Sequence, residues 1–300
     1  MASPEEVAAM RRAIAVSAQG LGTASPNPPV GCVVLDRHGR TVGEGYHARK
    51  GEPHAEVNAL AAAGRSAAGG TAVVTLEPRN HHGRTPPCRA ALIDAGVTRV
   101  LIAVRDPTSR GEGGAAVLRQ AGLEVETGLL RQEALLILGP WLASLRAGRP
   151  YITWAYSATS DGVPLGPPVV GAPADLAALR AAHDLVLTPE GRLTEGLPGG
   201  HGDGGVFHVP RMPTEPGPAE AMDTLRAAGA RSLLVEGTSR AAMSLLAACP
   251  ADRVVAHLPR TLVSRAPCEG TAAVAALPEG YRIVDVALGA DHIGLTADRE

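Results

Sequence analysis

His54 and Glu56 stand two residues apart, and a second polar run, Leu76-Glu77-Pro78-Arg79-Asn80-His81-His82-Gly83-Arg84-Thr85-Pro86-Pro87-Cys88, follows a predicted strand. An imidazole, a carboxylate and a thiol are side chains from which a hydrolytic site can be built. Nitrogen and sulfur donors hold a zinc ion with one position left for water, and the carboxylate moves protons. Arg79 sits inside this group. A guanidinium keeps its proton in proteins, donates hydrogen bonds and accepts none, so Arg79 cannot ligate a metal and would put a positive charge beside one. Each residue also has a plain structural reading. Glu56 reads as an ordinary first-turn carboxylate, Cys88 as a buried thiol, Asn27 as a turn former before proline, and His47 as a polar group at a strand end.

Positioning these side chains requires a series of strands and helices. Ser3-Pro4-Glu5-Glu6 combines an N-cap, a proline at the first helical position and a glutamate at the third, which predicts a helix from about Pro4 to Ala18. Pro26-Asn27-Pro28-Pro29 lies in a loop. Val30 to Leu35 and Thr41 to Tyr46 read as a hairpin around Asp36-Arg37-His38-Gly39. His54 opens a second helix to about Gly64, so His54 and Glu56 fall at its electropositive N-terminus. A strand at Thr71–Leu76, a helix near Cys88–Ala95, a strand at Arg99–Val104, a helix at Gly114–Ala121, a short strand at Glu124–Thr127 and a helix at Gln132–Arg146 follow. This alternation predicts an α/β/α sandwich over residues 1–147, with a boundary near Gly148-Arg149-Pro150 and a second α/β domain over 148–300. In the second, strands are expected at Tyr151–Ser157, Leu185–Leu187, Phe207–Val209, Ser232–Glu236, Arg253–His257 and Tyr281–Ala287. Helices are expected at Ala174–Ala182, Ala219–Ala228 and Ala241–Ala248, and a glycine-rich loop at Leu193–Asp203.

Composition narrows the function classes. The chain has 300 residues and a net charge of −2, and only 2% of it is aromatic. Scattered basic residues and few stacking platforms argue against nucleic-acid binding. No apolar run has the length of a membrane span, and the first twenty residues lack the pattern of a secretion signal, so the expected location is cytoplasmic. Cys32, Cys88, Cys249 and Cys268 show no tight pairing pattern, which suits buried thiols.

With these motifs placed, the chain resembles the RibD family, the bifunctional pyrimidine deaminase/reductases of riboflavin biosynthesis. In the first domain the resemblance runs through Pro26-Asn27-Pro28, Val30-Gly31-Cys32-Val33, Gly43-Glu44-Gly45-Tyr46-His47, Gly51-Glu52-Pro53-His54-Ala55-Glu56, Thr75-Leu76-Glu77-Pro78, Gly83-Arg84-Thr85-Pro86-Pro87-Cys88 and Asp106-Pro107. It implies a cytidine-deaminase-like fold and a ligand similar to a phosphoribosylaminopyrimidine. Asn27 and His47 would line the pocket with His54, Glu56 would shuttle protons, and His81 and Arg84 would contact the sugar phosphate. The zinc deaminase pattern is H-x-E followed by P-C and a later cysteine, and Arg79 stands where the first of those cysteines belongs. If zinc is retained, its ligands would be His54, Cys88 and a substitute nitrogen from His82 or His81. Otherwise Arg79 takes over part of the metal's charge, fixing an anion or polarising a carbonyl.

The second domain resembles the family's smaller, dihydrofolate-reductase-like half in Arg149-Pro150-Tyr151-Ile152-Thr153 and Thr159-Ser160-Asp161-Gly162. Departures are concentrated where NADPH would bind. Ala155 replaces a usual lysine, Thr188-Pro189-Glu190-Gly191-Arg192 replaces a glycine-rich turn, and Gly200 to Ala219 is short for the elements that half carries. Neither NADPH nor reductase activity is expected, and a homodimer through this domain is a family-level expectation.

Zinc lowers the pKa of its bound water from ~15.7 to about 7. A lone general base recovers only about 10²–10⁴-fold. The leading expectation is therefore a repurposed hydrolase using Glu56 for metal-independent cleavage of an N-glycosidic or imine C–N bond. The alternatives are a zinc-dependent diaminohydroxyphosphoribosylaminopyrimidine deaminase with altered ligands, and a non-catalytic ligand-binding homologue.

Overall fold

Local capping starts the chain as its sequence predicts. In the computed structural model, which describes residues 2–79, 88–109, 111–159, 163–168, 173–202, 208–210, 218–259, 277–289 and 292–300, helix α1 spans Pro4–Ser17. The Ser3 hydroxyl accepts from the Glu6 backbone N–H while the Ser3 N–H donates to the Glu6 carboxylate, a reciprocal cap that satisfies two donors. Strand β1 (Gly31–Leu35) is buried along its whole length, and β2 (Thr41–Tyr46) pairs with it antiparallel around the Asp36–Gly39 turn. The Asp36 carboxylate holds that turn by accepting from the His38 and Arg40 backbone N–H groups.

Helix α2 (Ala55–Ala63), β3 (Thr71–Leu76), α3 (Cys88–Asp94), β4 (Arg99–Val104), α4 (Gly113–Gln120), β5 (Glu124–Thr127) and α5 (Arg131–Ala147) complete the first region. Its five strands run in the order β2-β1-β3-β4-β5, with β3, β4 and β5 mutually parallel and β1 antiparallel to both neighbours. Two glycines of β2 let α2 lie directly on the sheet. A methyl carbon on Gly45 would sit 2.5 Å from the Ala59 backbone nitrogen, and one on Gly43 would sit 2.2 Å from the Ala59 oxygen. Only hydrogen permits that approach, and the approach brings the start of α2 to the ends of β3 and β4.

The chain divides into two compact units, Met1–Leu142 and Ala143–Glu300. The second contains β6 (Tyr151–Ala158), β7 (Pro164–Gly166), α6 (Pro173–Ala181), β8 (Leu185–Leu187), β9 (Leu193–Glu195), α7 (Pro218–Ala227), β10 (Ser232–Glu236), α8 (Arg240–Ala248), β11 (Arg253–Pro259), β12 (Tyr281–Leu288) and β13 (His292–Arg299). The strands form one sheet, β12-β13-β11-β6-β10-β8-β9, with β7 on β6. Central β6, β10, β8 and β11 are parallel, and Ile152, Leu185, Leu233 and Val254 pack in a core with Leu225 and Ala242 from the helices.

Three expectations need correction. Leu193–Glu195 is a strand rather than part of a loop. Its three residues pair antiparallel with Leu185–Leu187, and the Thr188–Arg192 segment between them is the tight turn of that hairpin, closed by the Thr188 N–H on the Arg192 oxygen and by Gly191 at φ 77°. Strands β7 and β13 were not anticipated, because neither is a long apolar run. Of the expected Phe207–Val209 strand, His208 and Val209 lie outside any strand and Phe207 lies outside the described residues, as does most of Gly200–Ala219.

Candidate active site

His54 is the N-cap of α2 rather than its first helical residue, and Glu56 follows in the first turn. The helix start therefore aims both side chains at one spot while Glu56 keeps its own backbone N–H within hydrogen-bonding reach. Cys88 opens α3 and meets them there. The His54 Nδ1 lies 2.9 Å from the Cys88 sulfur, and the Cys88 thiol donates to the Glu56 carboxylate. Burial, at 3% exposure, raises the pKa of Glu56 above the usual carboxylate range. Burial first, and then the adjacent Glu56, push the Cys88 thiol up as well.

The other wall of the pocket is a relay of polar groups. Arg79, three residues beyond the end of β3, places its guanidinium 3.5 Å from the Asn27 side-chain oxygen. The Asn27 amide donates across 3.0 Å to His47 Nε2, and His47 Nδ1 donates to the Pro53 carbonyl at 3.2 Å. This chain gives His47 the neutral tautomer with the proton on Nδ1, and burial followed by the nearby Arg79 charge lowers its pKa accordingly. The His47 ring stands edge-on to His54 at 5.0 Å.

Together these side chains line a pocket of about 340 Å³, counting space open to solvent, which also touches Pro28, Val30, Leu76, Glu77 and Asp106. Asn27, His47, His54, Glu56 and Arg79 are thus brought together as the sequence suggests, with Cys88 against His54 and Glu56. His81, His82 and Arg84 lie outside the described residues. Glu77 and Asp106 were not singled out as site residues. Glu77 is a buried fastener, its two oxygens accepting from the backbone N–H groups of Asp106 and Ala115, and it closes the ends of β3 and β4 around the pocket. Its signal in the sequence was position, directly after an apolar strand.

His54, Glu56 and Cys88 offer ligand atoms that all lie within 4.8 Å of one another, which suits a divalent ion such as zinc. Using all three, however, makes Glu56 a ligand and removes it as a free acid/base. Using only His54 and Cys88 leaves the set one short, with the Arg79 backbone N–H on the Cys88 sulfur and its guanidinium charge acting on Glu56 and Cys88.

The sequence profile described as "Cytidine and deoxycytidylate deaminase zinc-binding region" matches residues 4–104. The chain is 51% identical over 154 residues to the riboflavin biosynthesis protein RibD of Escherichia coli, a match covering 51% of this chain and 42% of that protein. The matched sequence thus spans less than half of that relative. The diaminohydroxyphosphoribosylaminopyrimidine deaminase of Buchnera aphidicola is 46% identical over 142 residues, covering 47% of this chain and 96% of the relative. Acinetobacter baumannii RibD superposes over 99% of both chains with a TM-score of 0.75 at 25% identity. The Thermotoga maritima deaminase/reductase does so with a TM-score of 0.77 at 24% identity, a likeness of fold. Because the match runs through nearly the whole Buchnera deaminase, the chain belongs to the RibD family.

Proposed function

We propose that the chain binds a phosphoribosylaminopyrimidine or a related intermediate and hydrolyses a C–N bond of it without a metal, with Glu56 as the acid/base. One observation carries this reading. Glu56 is a buried carboxyl whose pKa is raised, at the floor of a polar pocket, so it can hold a proton to give. The departing nitrogen takes that proton as the C–N bond breaks, water supplies hydroxyl to the carbon, and the water's second proton returns to Glu56. Asn27 and His47 orient the ring, with the Arg79–Asn27–His47–Pro53 relay holding them in register. The Buchnera relative is a deaminase of a ribotide of this kind, which supports the substrate class. Turnover of the ribotide by metal-stripped protein tests the proposal, and activity that requires zinc overturns it.

The convergence of His54, Glu56 and Cys88 favours a second reading, a zinc-dependent deaminase with altered ligands. Zinc per chain, together with ammonia release from the diaminopyrimidine ribotide, separates the two. Reduction by NADPH ranks last. The close approach that Gly237 permits is taken by the chain's own Gly166–Pro167 backbone, which would lie within 2.9–3.1 Å of a methyl group there. Association of two copies through the second domain is supported by β12, the outer strand of its sheet, where Ile283, Val284, Val286 and Leu288 are all exposed. Light scattering on the purified chain reads that directly.

A further inference from the structure

Arg79 lines the pocket beside Asn27, His47, His54 and Glu56, and among the described residues it forms no ion pair. The three carboxylates that line the pocket with it have other partners: Glu77 two backbone N–H groups, Asp106 the Thr108 N–H and hydroxyl, and Glu56 the Cys88 thiol. Among the described residues the guanidinium makes one side-chain hydrogen bond, at 3.5 Å to the Asn27 oxygen. Its other donors have no side-chain partner among the described residues, and Arg79 lines the cavity.

A guanidinium has five N–H donors and no acceptor. A ring amine conjugated to a pyrimidine is itself a donor. Set against Arg79 it would leave both groups desolvated and unpaired, which costs more than the bond it replaces. A ring oxygen at the same place accepts from the guanidinium and gains from its charge. We infer that Arg79 makes this pocket selective for a pyrimidine ribotide of the uracil type over the counterpart that carries a further amine in place of one of its ring oxygens. The inference rests on the reading that the pocket takes a pyrimidine ribotide and names which member of that class it prefers. It also gives the protein a place in a reaction sequence: a hydrolytic deamination that exchanges the ring amine for oxygen must supply its ligand.

The test uses two ribotides that differ in that group, 5-amino-6-(5-phosphoribosylamino)uracil and its diaminohydroxypyrimidine counterpart, titrated calorimetrically into the full chain. The uracil form is expected to bind the unmodified protein at least about tenfold more tightly. Arg79→Met should reduce that preference to within about threefold, and Arg79→Lys should keep part of it, because lysine donates hydrogen bonds without the planar fork. Equal affinity for the two ribotides in the unmodified protein, or tighter binding of the amino form, overturns the inference whatever the variants do. A preference that survives in Arg79→Met overturns Arg79 as its source. Binding of neither ribotide instead removes the reading of the pocket, and this inference with it.

Discussion

The two units of the chain treat buried polarity in opposite ways. In the first, Glu56, His47 and Arg79 converge on a cavity, the Pro53 carbonyl holds His47, and Glu77 fastens the backbone of Asp106 and Ala115 beside them. In the second, the best-buried carboxylates pair within the fold, although Arg231 Nε, His257 Nδ1 and His292 Nδ1 are buried with no hydrogen-bond partner among the described residues. Glu236, fully buried at the end of β10, takes two hydrogen bonds at 2.6 and 2.7 Å from Arg180 of α6. His183 is held between the Leu179 carbonyl and the Thr153 hydroxyl, and Asp184 accepts from the Arg231 and Ser232 backbone N–H groups. A parallel sheet offers a crevice at the carboxyl ends of its strands in both units. The first has donors lining its cavity, and in the second Arg180, His183 and Asp184 are engaged with groups of the same unit.

The sharpest way to break this contrast is at Glu56. Glu56→Gln should lower turnover by about 10²–10⁴-fold while ribotide binding persists, and Cys88→Ser should change turnover by less than about threefold. Steady-state and binding measurements on both variants check this, and equal losses from the two would place the pair in one metal site instead.

Arg180→Ala probes the opposite unit. It strands the buried Glu236 charge, a loss of about 3–5 kcal/mol for a fully buried pair. Because Arg180 is 39% exposed, solvent screening reduces the expected loss to roughly 2–3 kcal/mol, read by urea unfolding. Ribotide turnover should not change. If turnover falls with stability intact, the second unit has a functional site after all.

A packing test sharpens the claim that α2 positions the site. Gly45→Ala forces a methyl into the α2 backbone and should cost about 1–3 kcal/mol together with activity. Gly139→Ala, in α5 with nothing within 4 Å, should instead add about 0.5–1 kcal/mol. Thermal melts of both variants give the comparison.

The smallest effect expected is on acid stability. The Arg40 backbone N–H, followed by the Arg40 side chain and the His38 N–H, holds Asp36 at about 2, against an ordinary value of 3.8. A depressed folded pKa means that the stabilisation is present above the unfolded value and lost as pH falls through the folded one. The difference in melting temperature between the unmodified chain and Asp36→Asn should hold above about pH 4 and shrink between about pH 4 and pH 2. A difference that does not change across that window would mean that the turn's hydrogen bonds, and not the charge, hold Asp36.

Much of the first unit could be read from local patterns. The Ser3–Glu6 cap, the Pro29-flanked hairpin and the apolar runs of β3 and β4 use short-range rules that neighbouring residues satisfy among themselves. The pocket was legible for a different reason. Asn27, His47, Glu56 and Arg79 fall in or beside the motifs through which the sequence resembles the RibD family, and the resemblance, not a local rule, marked them. The second unit yielded less. β9 is three residues long and β13 mixes His292, Thr296 and Asp298 with apolar positions, so neither carries a period that a sequence window can register.

The order of residues settled which chemistry is available: one carboxylic acid, one imidazole and one thiol in the pattern of a zinc site, and an arginine in place of the first of its two thiols. That follows from side-chain type alone, since no fold can make a guanidinium into a ligand. Distance and burial settled the rest. Whether Glu56 meets water or Cys88, whether Arg79 pairs with a carboxylate or lines a cavity, and whether Glu236 faces a ligand or Arg180 all depend on residues far apart in the chain. Such contacts form only when β2 lets α2 settle on it and when α6 packs beside β10. Protonation and pairing energies follow from that geometry, through the loss of water around each charge.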